Sequence, residues 1–155
     1  MTTPDTSQTD ASVLPALADF PFPTTLVVTG TVTGSPVTDI GVLHEAGDVD
    51  EIFPLASVTK PIVAWSALVA VDRGLLDLDA PAGAPAPDGA TIGHLLSHSS
   101  GIAADSDERL ASPGTRRIYS NRGIEILGQR LQEATGTPLE TWVETTVLEP
   151  LGMAS

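Results

Sequence analysis

Cysteine is absent from all 155 residues, which excludes disulfides, thiolate nucleophiles and zinc-cysteine sites. Aromatic residues make up only 4% of the chain against an apolar fraction of 41%, so its core must be built mainly from Ala, Val, Leu and Ile. Basic residues are scarce as well: 7 Lys and Arg face 20 Asp and Glu, a formal charge of -13 that repels phosphate backbones and anionic lipid. Neither nucleic acid nor a membrane is expected as a partner. The charge reads as a solvated surface that keeps the chain soluble, and it carries no information about a reaction. No apolar run is long enough to span a bilayer, and Met1 to Asp10 has neither the basic flank nor the apolar stretch of an export signal. A soluble cytoplasmic protein is expected.

What is present has the length of one ordinary domain. Residues 1–12, rich in Thr, Asp and Ser, read as a flexible tail ahead of a domain over 13–155. Crowded β-branched residues from Thr24 to Thr33, then Gly34-Ser35-Pro36, then Val37 to His44, predict an antiparallel hairpin. After Pro54 a segment apolar nearly all round, Ile62 to Val71, predicts a helix buried on most sides and ended by Gly74. Pro61 is tolerable only in or near a first turn, which places Ser57 at the helix start.

Leu75 to Ala90, with Pro81, Pro85 and Pro87 and two glycines, predicts a connector without regular structure. Thr91 can cap a short helix to about His98, and Ala104 to Thr115 reads as an acidic loop closed by Pro113-Gly114. Helical periodicity from Asn121 to Thr135 stops at Gly136. In Thr137-Pro138-Leu139-Glu140, a capping box and a proline at the first helical position predict a last helix.

Chemistry concentrates at Ser57-Val58-Thr59-Lys60. Residues three apart on a helix differ by about 60° around the axis and about 4.5 Å along it, so the hydroxyl and the amine share a face. The amine can then take the hydroxyl's proton and activate it for attack. S-x-x-K alone is a weak pattern, expected about once by chance in a chain of this size.

Tyr119-Ser120-Asn121 precedes a helix, where an extended segment would point Tyr119 and Asn121 into one cleft. A phenol beside a lysine can shuttle a proton, and a carboxamide can hold a substrate carbonyl. His94 and His98, four apart, have the spacing of two metal ligands, but Leu95 stands where H-E-x-x-H has Glu. Their simpler reading is two histidines capping and bracing a turn. No G-x-S-x-G elbow and no phosphate-cradling G-x-x-x-x-G-K-[ST] loop occurs, and no cofactor is implied.

Phe53-Pro54-Leu55-Ala56-Ser57-Val58-Thr59-Lys60, followed by Gly74-Leu75-Leu76-Asp77-Leu78-Asp79-Ala80-Pro81, resembles the serine β-lactamase-like superfamily, in its class C branch with DD-peptidases and family VIII esterases. Three further blocks stand in the family's order: His94 to Ile102, Pro113-Gly114-Thr115 leading to Tyr119-Ser120-Asn121, and Leu148 to Met153. The likeness covers about residues 20–153. It implies an α/β (α+β) fold, here a partial β-lactamase/transpeptidase-like one with an N-terminal hairpin and a mainly helical region.

By that resemblance Ser57 is the acylated nucleophile, Lys60 its activating partner, Tyr119 the proton shuttle that also serves the leaving group, and Asn121 the group that orients the substrate carbonyl. Whether Lys60 or a Tyr119 phenolate is the base stays open. The family's C-terminal strand, bearing K-T-G or H-x-G and supplying the second oxyanion-hole amide, has no counterpart in these residues. The expectation is therefore the N-terminal portion of a serine hydrolase acting on a small ester or amide, esterase-like in preference to β-lactamase or DD-peptidase. A complementing C-terminal segment or an oligomer would complete it. The alternatives are a non-catalytic module that assembles through an exposed apolar face and, more weakly, a metal-binding protein using His94 and His98.

Overall fold

The computed structural model describes residues 26–31, 40–48 and 50–153, and these divide into two compact units between Pro54 and Leu55. The first holds the hairpin. Strands β1 (Leu26–Thr31) and β2 (Ile40–Ala46) pair antiparallel, Leu26 opposite Ala46 and Thr31 opposite Ile40. The register shifts between Val28 and Thr29, whose partners are His44 and Val42, which leaves Leu43 as the extra residue of a β-bulge. The Gly34-Ser35-Pro36 turn and the tail over 1–12 lie outside the described residues.

The second unit is helical. A single tight turn, Ala56–Val58, leads into α1 (Thr59–Asp72), followed by α2 (Ile92–Leu96), α3 (Asn121–Thr135) and α4 (Leu139–Val143), which continues into a π-helical turn, Glu144–Leu148. Pro61 occupies the first turn of α1, where its missing N–H leaves no intrahelical bond unmade. The helix closes through Gly74, at a φ of 69° that a side chain would resist.

The core forms where α1 and α2 pack on α3. Leu95 from α2 and Ile126, Leu127 and Leu131 from α3 are fully buried around Val63, Ala67 and Ala70 of α1. Burying each of the large side chains contributes about 1.5–3 kcal/mol. The one aromatic of this core is Trp142, whose indole N–H donates to the carbonyl of Ser66 at 3.0 Å and so ties α4 to α1.

Two expectations need correction. α1 buries one face only: Val63, Ser66, Ala67 and Ala70 recur at helical spacing inside, while Trp65, 60% exposed, and Leu68 lie outside. Small residues on the inner face let α1 pack closely, and the apolar Trp65 and Leu68 beyond it stay exposed. The capping box at Thr137 also does not form; Pro138 is the N-cap, and the Thr137 hydroxyl donates back to the Thr135 carbonyl at 3.3 Å.

The proline-rich connector is irregular but held. Arg130, on α3, donates Nε to the Ala82 carbonyl and Nη2 to the Ala84 carbonyl, each at 2.6 Å. That grip is charge-assisted and made to backbone, so it fixes the segment and not just its side chains.

Candidate active site

Ser57 sits in the turn that opens α1, directly after Ala56, whose φ of 45° is left-handed and costs a residue with a Cβ about 1–3 kcal/mol. That conformation redirects the chain so that the turn runs into the helix, and it leaves the Ser57 hydroxyl exposed. One turn on, Lys60 donates from Nζ to Ser57 Oγ at 2.9 Å. The three-residue spacing therefore produces a direct bond between the two side chains. Lys60 is half-buried, so its amine stays within reach of solvent.

Tyr119 comes to this pair from far along the chain. Its ring centre lies 4.9 Å from Lys60 Nζ, and interaction with Lys60 first, then with Ser57, draws the phenol below its ordinary value. The ring of His98 stacks on it at 4.7 Å between centroids, tilted by 42°. A cavity of about 310 Å³ opens between these elements. Ser57, Lys60, His98 and Tyr119 line its polar side, and Pro61, Ala64, Leu96 and Ile124 its apolar wall. This is the size and mixed lining of a small-molecule site.

Asn121 is not brought to the cavity. Ser120 is extended, at φ -136° and ψ 119°, and caps α3, its Oγ accepting from Gly123 N–H at 2.8 Å. Asn121 is already the first helical residue, so the alternation that would align it with Tyr119 ends at Ser120. Its Nδ2 donates instead to Asp105 Oδ1 at 2.6 Å on the acidic loop.

The two α2 histidines do different things. His94 takes the place of the usual Glu in a capping box: Thr91 N–H donates to its Nδ1 at 3.1 Å, and His94 N–H donates to Thr91 Oγ1 at 3.3 Å. His98 lies past the helix end in a left-handed conformation, φ 58°, and its Nδ1 accepts from Ser120 N–H at 3.3 Å. Burial first, then the cations Arg117 and Lys60, lower its pKa from the ordinary 6.5. Among the described residues no group of three or more His, Asp or Glu could hold a metal ion. Bracing of turns describes both histidines, and the pairing of His98 with Tyr119 had no signature in the sequence beyond the Ser99-Ser100-Gly101 that ends the helix.

Such an arrangement can activate a hydroxyl: an amine bonded to Ser57, and a phenol of lowered pKa close enough to exchange a proton with either. No helix among the described residues is long and apolar enough to cross a membrane.

Comparison with known proteins adds relatives of one kind. The family model described as Beta-lactamase matches residues 24–155. Esterase EstB of Burkholderia gladioli is 38% identical over 148 residues, covering 67% of this chain and 38% of the relative. Penicillin-binding protein 4 of Amycolatopsis lactamdurans is 32% identical over 147 residues, covering 73% of this chain and 39% of the relative. The crystal structure of a β-lactamase from Mycobacterium bovis matches with a TM-score of 0.80 and 42% identity, over 93% of this chain and 49% of that one. The chain thus spans half or less of the length of each of these relatives.

Proposed function

Because the chain belongs to the Beta-lactamase family, a superfamily of serine hydrolases, we propose that it acts on a small ester or amide through an acyl-enzyme at Ser57, esterase-like in preference. The observation that carries the reading is the 2.9 Å bond from Lys60 Nζ to Ser57 Oγ, with Tyr119 against the same amine.

Ser57 Oγ attacks the substrate carbonyl carbon while its proton passes to Lys60 or to the Tyr119 phenolate. Lys60 and Ser57 draw the phenol below its ordinary value, which supports Tyr119 as a carrier of that proton. Collapse of the tetrahedral adduct breaks the bond to the alcohol or amine, which leaves with a proton from Tyr119. Water then adds to the Ser57 ester, and the carboxylic acid departs as Ser57 regains its proton. Asn121 would orient the carbonyl after releasing Asp105.

The test is a fluorophosphonate probe on the purified chain, alone and with a supplied C-terminal segment from a full-length relative. Label on Ser57, absent in Ser57→Ala, is the expected result; no label in either condition removes the catalytic reading.

One observation favours a second reading, a non-catalytic module that assembles through an apolar face. Val58, at the N-cap of α1, and Trp65 and Leu68 on the helix itself are exposed. It predicts a stable oligomer in sedimentation together with an unlabelled Ser57.

A further inference from the structure

The residues before and after Tyr119 both donate their backbone N–H to one residue. Ile118 N–H donates to the His98 carbonyl at 2.7 Å, and Ser120 N–H donates to His98 Nδ1 at 3.3 Å. Between these two bonds the imidazole lies against the phenol ring itself, 4.7 Å centre to centre. Tyr119 is half exposed, and its cavity-facing pose depends on what fixes the backbone beneath it.

We propose that His98 is the positioning residue for Tyr119, its unprotonated Nδ1 fixing the Ser120 amide and its ring fixing the phenol against Lys60. The role rests on the reading that Tyr119 serves Ser57, but its geometry does not.

Three features of His98 suit it. Its backbone is left-handed, stabilised where α2 ends by His98 N–H to Leu95 O at 3.1 Å and Ser99 N–H to His94 O at 2.8 Å, and this turn sends the ring away from α2 toward Tyr119. An Nδ1 that accepts requires a neutral ring with its proton on Nε2. Two cations that act on it, Lys60 from α1 and Arg117 from the segment before α3, also disfavour a charged ring, and Tyr119 lies against it. His94, the other imidazole of α2, is turned to Thr91. Protonating His98 would put a donor against the Ser120 N–H and release the segment that carries the phenol.

Tyr119 is the single tyrosine of the chain, so its ionisation can be read directly from tyrosinate absorbance. His98→Phe keeps a ring but offers no acceptor. His98→Asn places Oδ1 where Nδ1 was and tolerates the left-handed backbone. In His98→Phe the phenol titration should return toward the ordinary value of 10, and labelling of Ser57 by the fluorophosphonate should slow by roughly 10- to 100-fold. His98→Asn, which restores the acceptor but not the ring, should recover part of both.

The proposal is overturned if His98→Phe titrates and labels as the parent does, or if nitrogen NMR of the parent chain finds the His98 proton on Nδ1. The NMR measurement decides the matter even where the Phe variant does not fold. If the parent chain fails to label at all, the catalytic reading of Ser57 falls, while phenol titration and tautomer still decide what His98 does.

Discussion

The carboxamide of Asn121 lies 2.6 Å from a carboxylate oxygen of Asp105, a charge-assisted bond that turns it toward the acidic loop and away from the cavity. If Asn121 is to meet a substrate carbonyl, that bond must first open, and the apparent affinity falls with the fraction opened. Both residues are exposed, so the bond is worth about 1 kcal/mol. Asp105→Ala should therefore leave the unfolding midpoint nearly unchanged and speed labelling of Ser57 by about fivefold. Equal or slower labelling would show that Asn121 does not act on the substrate.

Lys60→Met removes the first cause of the lowered Tyr119 phenol while keeping the length of the side chain. Its titration, followed by tyrosinate absorbance, should move up toward 10. Ser57→Ala should move it in the same direction but less, because Ser57 is the smaller cause. A Lys60→Met titration that matched the parent would separate Lys60 from the phenol.

Ser120 is 1% exposed, and its hydroxyl both accepts from Gly123 N–H and donates to the Ala103 carbonyl at 2.6 Å. Ser120→Ala leaves both groups without this partner and should cost about 2 kcal/mol, seen as a lower urea midpoint at constant slope.

Gly101 has a φ of 84°, and a Cβ there would overlap the backbone carbonyl of Ala111, which cannot swing aside as a side chain could. Its own carbonyl accepts from Leu110 N–H at 2.8 Å, so the loop cannot move away cheaply. Gly101→Ala should destabilise by at least about 2 kcal/mol. Gly74→Ala, also left-handed but with open space around the new methyl, should cost less, and the order of their urea midpoints tests the distinction.

His98 gives a pH dependence of defined sign. Its folded pKa lies below the ordinary 6.5, so the unfolded chain binds the proton more readily between the two values. The contribution is fully present above 6.5 and is lost as pH falls through the folded value. Comparing the parent with His98→Asn cancels the many carboxylates, and the parent should lose stability relative to the variant across that window.

Where the sequence was legible, local rules were enough. α3 runs from Asn121 to Thr135 as its periodicity requires, because one apolar stripe and a glycine at φ 65° specify a helix without help from elsewhere. The Ser57–Lys60 bond follows from a three-residue spacing across the turn that opens α1. Long-range contacts decided the rest. Nothing about an alanine announces the left-handed φ of Ala56, which only the turn into α1 imposes. The direction of Asn121 follows its bond to Asp105, sixteen residues earlier in the chain, which no local pattern announces. α1 reads as buried on most sides because composition cannot say how many neighbours a helix will find.

The polar side of the cavity is assembled from contacts of two very different ranges. Ser57 and Lys60 meet within a single turn, so their bond can exist as soon as α1 nucleates, whereas Tyr119 arrives only when distant parts of the chain close on one another through His98. The hydroxyl–amine pair thus depends on a single turn of chain, while the place of the phenol depends on a bond between residues 22 apart, so a change remote from α1 in sequence can shift Tyr119 and leave the Ser57–Lys60 pair as it is.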